Sequence, residues 1–364
     1  MNLTDQEKNR YSRHISLEQI GLVGQEKLKA AKVLVVGAGG LGCPILQYIA
    51  AAGVGTIGIV DFDEVVESNL QRQVLFTVND IGTNKAVAAQ KSLKQLNPNT
   101  CFNIYPERLA PQNVLSIFNN YDIIVDGTDN FLTRYLISDA SLIAEKPLVY
   151  GAIYKFEGQV SVFNYHNGPS YRCLFPDPPK SGSVPNCSDN GVLGVLPGII
   201  GSHQANEVLK LILGIGVPLS GKLLNYNALD NTFYTLKVEK SEQQIQKVLN
   251  NGTDFETIDD DLHCESIKNK IAITELQQWY ASLKDFEVID VREVWETPRI
   301  NKENVLLIPL DELHESVNKI ATNKPVVVVC QHGVRSRMAI EWLEKEHHLT
   351  NLINLTAGIV NWKE

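Results

Sequence analysis

Residues 33–44, VLVVGAGGLGCP, constrain this chain more than any other stretch. Val33 to Val36 read as a short buried parallel strand. Gly37, Gly39, Gly40 and Gly42 follow at once, and Pro44 opens an apolar helical stretch that closes at Gly53, a residue suited to a helix C-cap. A strand, a glycine turn and a helix N-terminus form an anion site, because backbone N–H groups converge there and the helix dipole favours negative charge. The glycines allow close approach of phosphate. Asp61 ends the next strand, TIGIVD, about where a ribose-binding acid is expected. The stretch predicts a bound nucleotide without saying which one. Rossmann dehydrogenases and ATP-using enzymes share it.

The chain has 364 residues, 44% of them hydrophobic, which suggests about two domains with a core each. A net charge of -9 argues against bulk nucleic-acid binding. The most apolar run, VLGVLPGIIG, is short and broken by Pro197 and glycines, so no membrane span is expected. The N-terminal stretch is charged and lacks an apolar signal core. With six scattered cysteines, it fits a reducing cytoplasm, where thiols serve chemistry or packing.

Residues 1–30 read as helical. A helix over 84–97 is stopped by Pro98, and then strands and helices alternate: CFNIY, a helix from Pro111, YDIIVD, a helix over 131–145, PLVYGAI. This is the pattern of a doubly wound, mainly parallel α/β sheet, a Rossmann-like fold. GQVSVFN follows after a short turn and is expected antiparallel. Residues 166–191 form a long polar loop, 194–214 an apolar helix, and KLLNYNAL with TFYTLKV a closing hairpin. The expected organisation is a first domain over 1–240, a linker with room for one helix over 241–269, and a smaller α/β domain over 270–364. A solvated face of the first domain is the alternative for 241–250.

In the first domain, SNLQRQ at 68–73 places Asn69, Arg72 and Gln73 just after Asp61, Lys85 starts a helix, and TDN at 128–130 ends a strand. Ligands of such sheets sit at these strand ends. Asp61 suits ribose, Arg72 and Lys85 suit phosphates, and Asp129 suits Mg²⁺, which takes one or two carboxylates plus phosphate oxygens. With RYSRH at 10–14, DFD at 61–63 and the YRCLFP…GVLG…GIIGSHQANEVLK region, residues 1–240 resemble the E1-like adenylyltransferases of the MoeB/ThiF family, which activate ubiquitin-like sulfur carriers. The resemblance implies ATP, not NAD. It implies nucleotide binding by Gly37, Gly39, Gly40, Gly42, Asp61, the SNLQR residues Ser68, Asn69, Leu70, Gln71 and Arg72, then Lys85, Asp129 and Asn130, with Mg²⁺ on Asp129. It also implies that Arg13 reaches the neighbouring subunit's ATP site in a homodimer, and that Cys187 in the long loop captures the activated carrier. Many relatives bind a structural Zn²⁺ through two CxxC pairs. Here Ser170 stands where the partner of Cys173 should be, the stretch after TFYTLKV has no cysteine, and Cys264 lies far on, so no zinc is expected.

In the second domain, VVVVCQHGVRSRMAIEWL is a strand, a tight loop and a helix. Backbone N–H groups of Cys330–Arg335 are expected to point inward and, with the helix N-terminus at Ser336, to favour a thiolate or persulfide. The loop resembles that of rhodanese sulfurtransferases, as do IDVRE at 289–293 and AGIVNW at 357–362. The catalytic set expected is Cys330, Cys187, Arg72 and Arg335. Together the two resemblances imply adenylation of a MoaD- or ThiS-like carrier, then sulfur transfer from a Cys330 persulfide fed by a donor such as a cysteine desulfurase. The thiocarboxylate serves molybdopterin or thiamine synthesis. Adenylation with the second domain serving another task, an NAD-dependent oxidoreductase and a non-catalytic binding module stay as rivals.

Overall fold

The computed structural model describes residues 2–178, 191–255, 269–282, 284–331, 333–356, 358–360 and 362. The chain forms two compact units, residues 1–257 and 258–364.

The first unit is built on eight strands: β1 Lys32–Val36, β2 Thr56–Val60, β3 Cys101–Tyr105, β4 Ile123–Asp126, β5 Leu148–Tyr154, β6 Glu157–Phe163, β7 Lys222–Asn227 and β8 Thr232–Lys237. Their order is β3-β2-β1-β4-β5-β6-β7-β8. Strands up to β5 pair in parallel, and β5 to β8 pair antiparallel, as the short β5–β6 turn demands. Val33 of β1 faces Ile57 of β2 on one side and Ile123 of β4 on the other. The strand order therefore reverses at β1, and the crevice at its carboxyl end is where such sheets take ligands.

Alternation along β1 divides the core. Val33 and Val35 pack with residues of the Gly42–Ala51 and Leu196–Leu213 helices; Leu34 and Val36 pack with residues of the Val114–Phe118 and Phe131–Ile143 helices. Both faces are covered, so β1 reads as a continuous apolar run. The helix after β1 begins at Gly42, ahead of the expected Pro44, since proline in a first turn removes an N–H with no intrahelical partner. The helix expected from Pro111 is confined to Val114–Phe118, with asparagines at 113, 119 and 120 closing it in.

At the start of the expected linker stands a packed helix, Glu242–Asn251. Ser241 caps it, Ile245 and Val248 are buried, and Phe255 joins the core around Leu34. Its apolar residues recur at helical spacing, which a polar average conceals. Cys187 and Cys264 lie outside the described residues.

The second unit is a five-stranded parallel sheet of order β11-β10-β12-β13-β9, with β9 Lys270–Ile271, β10 Glu287–Asp290, β11 Val305–Leu307, β12 Val326–Val329 and β13 Leu352–Leu355. The four valines of β12 are wholly buried and point alternately into two cores. Among the described residues, no helix is long and apolar enough to cross a membrane.

Candidate active sites

The glycine turn is closed by backbone against backbone. Gly37 leaves β1 with φ +92°, and a Cβ there would stand 2.8 Å from the Gly127 carbonyl oxygen at the end of β4. A Cβ on Gly42 would overlap the Gly37 carbonyl oxygen. Gly39 is open, meeting only Gln73 Nε2, 3.7 Å from the Cβ position, while Gly40 packs against Pro197 and the Arg72 stem. A phosphate can approach the main chain at Gly39 without meeting a side chain of the turn itself.

Asp61 braces this turn. Its Oδ2 accepts the Ala38 N–H at 2.7 Å and its Oδ1 accepts that of Asp63 at 2.9 Å. Burial raises its carboxyl above the ordinary value, with Lys85 and the two amides pulling the other way. Lys85 opens its helix, which Asn84 caps, and its buried Nζ lies 2.9 Å from Asp63. Arg72 donates to the Ser68 carbonyl at 3.1 Å. Asn69 is buried, and its Oδ1 accepts the Val66 N–H at 3.2 Å. Ser68 and Gln71 are exposed, and Leu70 is half-buried against the core. Cys43, in the first turn of the Gly42–Ala51 helix, is wholly buried, and burial pushes its thiol up to about 12.

The TDN loop is clamped from both sides. Asp126, wholly buried at the end of β4, accepts the Thr128 N–H at 2.9 Å and hydroxyl at 2.6 Å. Arg134, also buried, donates Nε to Asp126 at 3.2 Å and Nη2 to the Thr128 carbonyl at 3.1 Å, and lies over the Tyr150 ring. Burial raises the Asp126 carboxyl, with Arg134 and Thr128 acting against the shift. Gln204 reaches across to donate to the Asp126 carbonyl at 2.7 Å. Asn130 Oδ1 accepts the N–H groups of Leu132 and Thr133, so its side chain caps the Phe131–Ile143 helix. Asp129 stays exposed between these fixed neighbours, a hard oxygen donor of the type Mg²⁺ takes.

The glycine turn, Asp61, Arg72 and Lys85 thus converge at the carboxyl ends of β1 and β2, and the TDN loop continues the group at β4. Arg13 lies outside these contacts, exposed on the short helix Ser12–Ile15. Arg134 lies outside every motif quoted above, while Asp63 and Gln204 fall within DFD and GIIGSHQANEVLK with no role assigned to them. Arg134 carried one signal, its place four residues after the Asn130 cap, one turn into the helix.

Cys173 Sγ accepts the N–H groups of Ser170 and Ser241, each at 3.3 Å, and lies 3.4 Å from the Ser170 hydroxyl. One thiol engaged with a hydroxyl and two amides does not fit a tetrahedral zinc site. Among the described residues no group of three or more His, Cys, Asp or Glu side chains could hold a metal ion.

In the second unit Cys330 is buried directly after β12. Gly333, at φ +83°, donates its N–H to Sγ at 3.1 Å; the Ser336 hydroxyl lies 3.4 Å from Sγ and is 2.7 Å from Asn354 Oδ1. Among the described residues, Gly333 is the loop amide that donates to the sulfur, where the sequence reading expects the amides of the whole loop to point inward. Arg292 is wholly buried. It forks onto Asp290 and donates to Gln331 Oε1 and the Pro298 carbonyl, both at 2.7 Å, fixing the start of the loop. Arg335 forks onto Glu296, each of its two bonds 2.6 Å. Glu296, which the sequence reading passes over, holds this guanidinium. His332 lies outside the described residues.

Comparison with known proteins agrees with this division. The model of the ThiF family matches residues 11–247, and that of the rhodanese-like domain matches residues 273–364. The chain is 42% identical to the probable adenylyltransferase/sulfurtransferase MoeZ of Mycobacterium tuberculosis, over 99% of this chain and 94% of the relative. It is 39% identical to the adenylyltransferase and sulfurtransferase MOCS3 of Xenopus laevis, over 100% of this chain and 87% of that one. A sulfur carrier protein adenylyltransferase of Thermus thermophilus is 53% identical over 66% of this chain and 91% of its own length. A crystal structure of E. coli MccB with ATP superposes with a TM-score of 0.57 at 21% identity, over 66% of this chain and 73% of that one, a likeness of fold alone.

Proposed function

From the premise that the chain belongs to the ThiF family, carries a rhodanese-like domain behind it and is an adenylyltransferase and sulfurtransferase, we propose that its substrate is the C-terminal glycine of a ubiquitin-like, MoaD- or ThiS-like sulfur carrier. The observation that supports this is the presence in one chain of a phosphate-type glycine turn with its TDN loop and of a buried thiol held by a loop amide.

The carrier's carboxylate attacks the α-phosphate of ATP, and pyrophosphate leaves. Both partners are anions, so the site must spread positive charge over the triphosphate. Arg72 and Lys85 supply that charge, the glycine turn accepts the phosphates through its amides, and Asp61 orients the ribose while holding the turn. Asp129 would hold Mg²⁺, and the ion when bound would supply charge screening for the triphosphate. Asn69 and the rest of 68–72 line the phosphates, and Arg13 completes the neighbouring subunit's site in a homodimer.

The product is an acyl-adenylate. The terminal sulfur of a Cys330 persulfide attacks its carbonyl and displaces AMP, leaving the carrier as an acyl-persulfide on Cys330. Cys187 then attacks the inner sulfur, releasing the thiocarboxylate and leaving a disulfide that reductant opens. A donor such as a cysteine desulfurase reloads Cys330, in a reducing cytoplasm, and the thiocarboxylate serves molybdopterin or thiamine synthesis.

The test is to mix the purified protein with each candidate carrier, ATP, Mg²⁺ and a persulfide source, and to weigh the carrier by mass spectrometry. Exchange of one carboxylate oxygen for sulfur is the expected result. ATP–pyrophosphate exchange without sulfur incorporation, in wild type and Cys330→Ala alike, would remove the relay and leave adenylation.

A further inference from the structure

Resting on the reading that Cys330 accepts sulfur, we infer that Glu296 sets the donor class of this loop: by masking Arg335 it selects donors with at most one negative charge at the sulfur, persulfides, over dianions such as thiosulfate.

The geometry is a closed pair. Both Arg335 terminal nitrogens bond the two Glu296 oxygens at 2.6 Å. The pair is largely sheltered, with the two side chains 19% and 21% exposed. Glu296 also accepts the Glu293 N–H at 2.9 Å, which fixes the carboxylate from behind. Burial pushes the Glu296 carboxyl up, but Arg335 and the Glu293 amide outweigh it and leave it below its ordinary value, so it is charged at neutral pH. A bidentate guanidinium–carboxylate pair is among the strongest polar contacts and has no net charge.

Two further arginines beside the loop, Arg292 and Arg299, are also engaged. Arg292 is forked on Asp290. Arg299 donates to the Glu293 carbonyl at 2.6 Å and stands 3.9 Å from Asp290. Cys330 thus keeps the Gly333 N–H and the Ser336 hydroxyl as its own polar neighbours, while these three cations are each turned onto a carboxylate. A dipole-lined loop stabilises one negative charge on sulfur. It does little for a second charge, and the neutral Arg335–Glu296 pair offers no net positive charge to meet one.

The chemistry is the same for both donors. The Cys330 thiolate attacks the outer sulfur of R–S–SH, the donor S–S bond breaks, R–S⁻ leaves, and Cys330–S–SH forms. With thiosulfate the thiolate attacks the sulfane sulfur and sulfite leaves with the electron pair, giving Cys330–S–S⁻. Charge balances in each step, and no oxidant or reductant is needed.

The test compares kcat/KM for thiosulfate, with cyanide as acceptor, against kcat/KM for cysteine persulfide, in the full-length chain. In Glu296→Gln the unmasked Arg335 should raise the thiosulfate-to-persulfide ratio on the order of tenfold, since charge-assisted bonds are roughly twice as strong as neutral ones. Sulfate should become a tighter competitive inhibitor by a similar factor. A gain of this kind cannot come from unfolding. Adding Arg335→Gln to Glu296→Gln should abolish it, and Glu296→Ala should reproduce it if the glutamine variant folds poorly. An unchanged or lower ratio in whichever of the two single variants folds overturns the inference. A wild-type chain that loads sulfur from cysteine persulfide keeps the sulfur-transfer reading whatever the variants do. One that loads from neither donor overturns that reading and this inference together.

Discussion

Arg134→Met should strip the TDN loop of its buried cation and make the first unit's stability depend on pH. Asp126 is wholly buried, and in the wild type it receives Arg134 and both Thr128 donors. Without the guanidinium it must stay charged with no ion partner or take up a proton. Protonating a carboxyl of ordinary value 3.8 at pH 7 costs about 4 kcal/mol at 1.36 kcal/mol per unit, and about 2 kcal/mol at pH 5.5. The folded value is raised and the unfolded one is not, so stability is lost as pH rises from the unfolded value towards the folded one. The deficit therefore grows with pH. In a unit of this size it should lower Tm by roughly 8–16 °C at pH 7 and about half that at pH 5.5. Adding Asp126→Asn, which keeps an oxygen for Thr128, should recover much of the loss and flatten its pH dependence. Calorimetry of the full chain at both pH values decides it. A deficit under about 1 kcal/mol, or one equal at the two pH values, would refute the claim that this pair carries a buried charge.

Asp129→Ala should nearly abolish carrier-dependent ATP–pyrophosphate exchange while leaving Tm within a degree or so, because its carboxylate is exposed; exchange within severalfold of wild type would remove it from the site. Gly42→Ala should lower both Tm and ATP affinity, since the added methyl overlaps the Gly37 carbonyl oxygen, and unchanged ATP affinity by calorimetry would contradict the closed turn. Elemental analysis of the untagged protein should find no stoichiometric zinc, and EDTA should leave Tm unmoved, because Cys173 is engaged by Ser170 and Ser241; about one zinc per chain would overturn this. Mixing an Arg13→Ala subunit with an Asp129→Ala subunit should restore part of the activity if Arg13 completes the partner's site, and mixed dimers with no recovery would put both residues in one site.

Local features were legible in the sequence because their causes are local. The glycine turn, the alternation of strands and helices, and the caps at Asn84 and Asn130 each follow from a few neighbouring residues. The Glu242–Asn251 helix was half hidden, since its few apolar residues stand among polar ones in a stretch that reads as a linker. Long-range pairings were not legible. Nothing near Glu296 says that it meets Arg335, 39 positions on, and nothing near Ser241 says that it meets Cys173, 68 positions back. Asp61 shows a subtler limit. Its place after β2 marked it for ribose, but the sequence gives no hint that the same carboxylate holds the glycine turn through Ala38.

The central place of β1 also sets a timetable for the newly made chain. β1 gains its first neighbour with β2, but its other edge is filled only by β4, residues 123–126. At 5–20 residues per second, the gap between these two strands lasts roughly three to thirteen seconds. For that interval Val33 to Val36 form an apolar, unpaired strand edge outside any finished sheet, the kind of surface that recruits chaperones or other nascent chains. β5 and β6 pair without such a wait, because β6 follows β5 after a short turn, whereas β6 in its turn gains β7 only at residues 222–227. The ligand-bearing part of the sheet thus passes through synthesis with an open edge, and slowing translation between residues 60 and 123 should lower the soluble yield more than slowing it after residue 237, when all eight strands of the sheet have been made.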